Sequence, residues 1–193
     1  MHTIKYQNAK EGKVKMTDHN LLKMRKADRE IKDKELIQGI LDICPVCTLA
    51  IHDKPYPYEV PMNYGYLWSD RLTIYLHMSL EGHKISLLKK NANVSCNMYA
   101  FLDRSNSEEY RGEHQDYRSV NIFGKAEILT LEQPEEFLEG LNAIQKHYKR
   151  NELKTVPINK NLGVVKIVAD AVTAKAMYPI TKISEVAMPE NER

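Results

Sequence analysis

Apolar positions recur along this chain with two periods, and the switches between them divide it into elements. Leu36, Ile37, Ile40 and Leu41 sit at three- and four-residue intervals, the spacing of a helix packed by one face, and predict a helix over Asp33 to Ile43 that Pro45 stops. Val46 to His52 is a short β-rich run. Asp53 to Pro55 reads as a turn, and Tyr56 to Tyr64 as a returning strand, placed at an edge or bulge by Pro57 and Pro61. A third strand covers Leu72 to His77, with Gly65 before it as a bulge or a point of close approach. The period then changes to helical. Ser79 or Glu81 opens a short helix carrying Ile85, Leu87 and Leu88, which ends in the turn-prone Asn91 to Asn93. Strict alternation returns at Val94, Cys96, Met98, Ala100 and Leu102, and again in a long strand from Tyr117 to Thr130, bent at Gly124. Phe137, Leu141, Ile144 and Tyr148 mark one face of a helix that Pro134 helps to begin, and Leu162 to Ala169 is a final strand.

Two stretches lack either period. Met1 to Thr17 reads as an extended or mobile arm, and the polar Asp103 to Gln115 as a loop long enough to suggest a functional role. The expected organisation is an arm over residues 1–20, one domain over 21–180 and a tail over 181–193. Six strands with alternating faces and a few flanking helices make the chain mainly β, an antiparallel barrel or strongly curled sheet closing on one core.

Composition narrows the class. At 193 residues, 42% hydrophobic, the chain suits a single domain, and none of its stretches approaches the roughly 20 apolar residues of a membrane-spanning helix. A net charge of +2 is too mild for a nucleic-acid binder, although residues 1–35 hold 10 Lys+Arg against 6 Asp+Glu and form a basic front. Three cysteines make a poor disulfide framework, and the N-terminus lacks a secretory apolar stretch, so a cytoplasmic location is expected. Cys44-Pro-Val-Cys47 is either a redox dithiol, half a zinc site, or two buried thiols. The lone Cys96 leaves a four-ligand zinc site short, so no metal is expected. G-x-G-x-x-G and Walker-type loops are absent from the sequence.

Three clusters carry possible chemistry. In the run from His77 to Lys84, a helix start offers N–H groups and a positive dipole end, Gly82 permits close approach, and Ser79 and Lys84 add a donor and a charge. That is an anion site, or else a plain helix cap with solvated neighbours. The aromatic run from Tyr58 to Tyr66 either presents backbone groups to a planar heterocycle or is a hydrophobic hairpin. Tyr117-Arg-Ser-Val120 opens the long strand, its guanidinium and hydroxyl facing a site or the solvent.

Taken in order, Met24-Arg25 through Asp28, Arg29 and Ile31, then Val60-Pro-Met-Asn-Tyr-Gly-Tyr66, then Ile74-Tyr-Leu-His77 with Glu81-Gly-His-Lys84, and Tyr117-Arg-Ser-Val120 with Phe123-Gly-Lys-Ala126 closely resemble the 5-nitroimidazole resistance (Nim) family of pyridoxamine 5′-phosphate oxidase-like proteins, over residues 22–170. The resemblance implies a six-stranded FMN-binding split β-barrel, a homodimer with flavin at the subunit interface. FMN is the cofactor it points to, with FAD as the other flavin. It implies that the backbone around Val60, Pro61, Met62, Asn63 and Tyr64 lines the ring system, that Ser79 and Lys84 hold the phosphate, that His77 stands near flavin and substrate as the catalytic candidate, that Ser119 borders the cofactor, and that Arg29 closes the substrate side from either subunit. The activity implied is reduction of a small nitro-aromatic or related electron acceptor. The other readings are a flavin-binding or storage protein without turnover, and a haem-binding barrel with His77 or His83 as axial ligand. Neither nucleic acid nor a membrane is an expected partner.

Overall fold

A computed structural model describes residues 23–102 and 116–187. The expected arm, the Asp103 to Gln115 loop and the end of the expected tail lie outside the described residues. A 3-10 turn (Ala27–Arg29) and a two-residue strand β1 (Glu30–Ile31) lead into helix α1 (Lys34–Ile43), which Asp33 caps by accepting from the Leu36 N–H at 3.0 Å. Strands β2 (Cys47–Ile51), β3 (Tyr58–Met62), β4 (Tyr64–Trp68) and β5 (Leu72–Ser79) follow, then helix α2 (His83–Lys90), strands β6 (Asn93–Leu102) and β7 (Asp116–Leu129), helix α3 (Pro134–His147) and strand β8 (Leu162–Ala176).

These eight strands form one antiparallel sheet in the order β3-β2-β6-β7-β8-β5-β4, with β1 pairing on β8. The expected Tyr56 to Tyr64 strand is in fact two strands at opposite edges of this order, joined through Asn63 alone. Consecutive Cα atoms are 3.8 Å apart, so the ends of β3 and β4 stand no more than about 7.6 Å from each other. The sheet must therefore curl fully around until its edges meet at Asn63. They meet without a hydrogen-bonded ladder between β3 and β4, so the barrel is split there, and the six closing strands expected become an eight-stranded open curl.

Inside the curl lies the main core, with Leu36, Ile37, Ile40 and Leu41 of α1 packed against Leu49, Ile74, Leu76, Met98, Ile122 and Ile167. A second cluster lies outside it, where Phe137, Leu141 and Ile144 of α3 cover Tyr75 and Val164. This explains why β5 lacks clean alternation: Ile74 and Leu76 face one cluster and Tyr75 the other. The final strand runs to Ala176, beyond the expected Ala169, because β7 and β1 supply partners for a segment whose own pattern is ambiguous. A register shift between Phe123 and Gly124 marks the expected bend. Among the described residues no helix is long and apolar enough to cross a membrane.

Candidate functional site

The split edge opens into a cleft of about 630 Å³ lined by Pro61, Met62 and Asn63, by His77, Met78 and Ser79 at the end of β5, and by Asn159, Asn161 and Leu162. Strand register assembles it. Tyr64 pairs with Leu76, so Asn63, one residue before, comes opposite His77; on the other side of β5, Ser79 pairs with Leu162. The Ser79 hydroxyl donates to Asn161 Oδ1 at 3.2 Å and accepts from the Glu81 N–H at 3.1 Å, and the Leu80 N–H donates to the Asn161 carbonyl at 2.9 Å. These bonds fix the β5 exit against the turn before β8.

Helix α2 begins later than the sequence suggests, at His83. Gly82 precedes it at φ 104°, and no side chain caps the first turn, so Ser79 remains a strand residue. His83 Nε2 meets Asp53 Oδ2 at 2.7 Å and its ring packs edge-on against Tyr58 at 5.4 Å. The bond to His83 and one from the Lys54 N–H hold the Asp53 carboxyl below the usual carboxylate range. His83 thus ties α2 to the loop between β2 and β3. Lys84 turns the other way: its half-buried ammonium donates to the Met62 thioether at 3.0 Å, and burial lowers its pKa. Sulfur is a weak acceptor. A partly desolvated cation so poorly partnered favours an anion beside it.

His77 is exposed at the mouth of the cleft, yet its neighbours displace enough water to lower its pKa, an effect reinforced by the charges of Arg150 and Lys84. A neutral imidazole therefore stands among cations, able to donate from one ring nitrogen and accept at the other.

Of the residues the resemblance implies, Pro61, Met62, Asn63, His77 and Ser79 converge on this cleft, with Lys84 reaching it through Met62. Val60 pairs with Leu49 one residue deeper into β3 and packs half-buried against the core. Tyr64 is built into that core: its hydroxyl donates to the carbonyls of Leu41 at 2.6 Å and Cys44 at 3.2 Å, and its N–H donates to the Tyr148 hydroxyl at 3.3 Å. Its backbone donor is already spent, which leaves Met62 and Asn63 as the residues that can present themselves to a ligand. Arg29 and Ser119 are not brought to the cleft of the same chain. Arg29 Nη1 donates to the Tyr117 hydroxyl at 3.2 Å, and Ser119 stands in register with Tyr99 and Lys175.

Asn159 and Asn161 escaped the sequence reading. Their turn-forming character is legible, but nothing in the spacing says that β8 would deliver them to Ser79. Cys44, Cys47 and Cys96 are free and buried; burial pushes the Cys44 thiol up to about 12, and Cys47 is pushed up further beside Cys96, the reverse of an activated thiol.

A curled antiparallel sheet split at one edge, with a cleft at the split and the Lys84 ammonium beside it on Met62, defines the class, a split-barrel fold. A profile of the pyridoxamine 5′-phosphate oxidase family matches residues 33–176. A crystal structure from Bacteroides thetaiotaomicron, described as a candidate 5-nitroimidazole antibiotic resistance protein, is 30% identical over 76% of this chain and 86% of its own, with a TM-score of 0.63. The chain belongs to the pyridoxamine 5′-phosphate oxidase family and groups there with the Nim-type proteins. Two more distant structures share the fold: an FAD and haem binding protein from Mycobacterium smegmatis (18% identity, 82% of this chain and 78% of that one, TM-score 0.58) and an FAD-binding protein from Mesorhizobium loti (20%, 78% and 98%, 0.53). No curated protein sequence matches the chain significantly.

Proposed function

We propose that this protein binds FMN in the cleft at the barrel split and acts as an oxidoreductase on a small nitro-aromatic or related electron acceptor. The observation that carries the reading is the meeting of Pro61, Met62, Asn63, His77 and Ser79 in one cleft beside the poorly partnered Lys84 ammonium. The cleft's size falls in the usual range for cofactor sites. Lys84 and Ser79 hold the phosphate, and the Met62 and Asn63 backbone lies along the ring system. His77, kept neutral, holds or passes a proton at an imidazole nitrogen beside the acceptor. The bound flavin supplies the electron transfer, and the chain positions it and excludes water. The likeness to the Bacteroides protein supports the nitro-aromatic acceptor, and the two FAD-binding relatives keep FAD as the other flavin the site accepts.

The protein works as a homodimer in this reading. Tyr99 and Phe101 are half exposed, pack edge-on at 5.5 Å, and stand in register beside Ser119 and Tyr117, the partner of Arg29. An aromatic patch beside two residues that the resemblance assigns to the site, Ser119 to the flavin and Arg29 to the substrate side, but remote from the cleft of their own chain, suits a second copy that covers the ligand. Three buried free thiols suit the reducing cytoplasm.

A visible spectrum of the purified protein with mass identification of the released cofactor tests the reading. Flavin absorbance is expected, with occupancy falling at least tenfold in Lys84→Ala. A Soret band, or a colourless protein that takes up no added FMN, overturns it; unchanged occupancy in Lys84→Ala overturns the phosphate assignment. Substrate-dependent reoxidation above that of free FMN separates a reductase from a flavin-storage protein.

A further inference from the structure

Tyr148 looks in sequence like one more apolar position on the inner stripe of α3. Its surroundings are different. Its hydroxyl donates to the Pro45 carbonyl at 2.8 Å, accepts from the Tyr64 N–H at 3.3 Å and lies 3.5 Å from Asn63 Oδ1. Those contacts bracket the single residue that joins the two edges of the split barrel. On its other side, the Tyr148 ring carries the Arg150 guanidinium at 5.6 Å from its centre, a cation–π contact. His147 completes the anchorage, stacked on Tyr64 at 4.3 Å and bonded to the Cys44 carbonyl at 3.1 Å.

We propose that Tyr148 is the positioning residue of the cleft: its hydroxyl sets the Asn63 connector against which the ligand lies, and its ring holds the Arg150 guanidinium as a second positive charge acting on His77. This rests on the flavin reading for its first half and is independent of it for its second. A one-residue connector has no hydrogen-bonded ladder to fix it, so an acceptor at the C-terminal end of α3 on the adjacent Tyr64 N–H decides where Asn63 stands. Arg150 is exposed and would otherwise sample many rotamers; the ring restricts it. The charged groups that act on His77 are Arg150, beyond α3, and Lys84, from α2.

The two halves separate by substitution. Tyr148→Phe keeps the ring and removes the hydroxyl: FMN affinity is expected to fall about tenfold, with the His77 titration, followed by its imidazole proton resonance, unchanged. Tyr148→Leu removes both, and Arg150→Gln removes only the charge; in each the His77 midpoint rises toward the ordinary histidine value, and in Arg150→Gln with FMN affinity lowered less than in Tyr148→Phe. Far-ultraviolet dichroism and the thermal midpoint establish that each variant is folded; if Tyr148→Leu is not, Arg150→Gln carries the second half. Unchanged FMN affinity in folded Tyr148→Phe overturns the first half, and an unchanged His77 midpoint in Arg150→Gln overturns the second. Should wild-type protein take up no FMN, the flavin reading fails while the His77 titration still decides the role of Arg150.

Discussion

His77 and His147 share a feature that reaches beyond the site: burial lowers the pKa of both, in His77 with help from Arg150 and Lys84. An unfolded chain takes up protons on these imidazoles near the ordinary value of about 6.5, whereas the folded chain does so only at lower pH. Between those values the unfolded state binds more protons, so stability falls as pH drops through that window and recovers above it. Denaturant midpoints measured at about pH 7.5 and about 5.5 should show this loss in the wild type and a clearly smaller one in a His77→Gln, His147→Gln double variant. An equal loss in both would rule the imidazoles out as its source. Histidines are visible in the sequence, but their titration is not, because it depends on burial in the folded chain and, for His77, also on cations brought from α2 and from beyond α3.

Among the elements, α3 matters most for the site, since it packs on β4 and β5 and carries Tyr148 to the connector. Gly65 permits this approach: a Cβ there would run into the Ala143 backbone. The sequence placed Gly65 as a bulge or a close-approach point, and the second reading is the one the structure bears out. Gly82 is needed for a different reason, its φ of 104°, with open space around the missing Cβ. Gly65→Ala should therefore cost several kcal/mol, in the range of severe core defects, and release α3. Gly82→Ala should cost about 1 kcal/mol and leave α3 docked. Chemical denaturation of the two variants checks the order, and equal losses would contradict it. The start of α2 is not legible in the sequence because Ser79 is a good cap by composition, yet its hydroxyl is committed to Asn161 and Glu81 in the folded chain.

For the whole molecule, the split is the central feature. It leaves β3 and β4 as edges with His77 and the Lys84 ammonium at one opening, while Arg29, in the 3-10 turn before β1, and Ser119, on β7, stand elsewhere. The proposed dimer joins these two places. Phe101→Asp, on the exposed patch, should convert the protein to a monomer by sedimentation equilibrium and lower flavin affinity without lowering the thermal midpoint of the chain by more than a few degrees. A dimer that persists in this variant with full flavin affinity would place the interface on another surface.

Local pattern determined a good deal by itself. The spans of α1, β6, β7 and α3, the edge position of the Pro61 strand, the bend at Gly124 and the ordered motifs of the Nim family are all properties of neighbours in sequence, where side-chain period and backbone restriction act directly. Tertiary structure decided the rest. That residues 56–64 divide at Asn63 into opposite sheet edges, that β8 extends to Ala176, that Tyr64 is spent in the core, that Asn161 lines the cleft and that Tyr148 reaches the Asn63 connector all follow from strand pairing and helix docking between segments far apart in the chain. Such contacts leave no period behind, because each is made by a single residue whose partner only the fold selects.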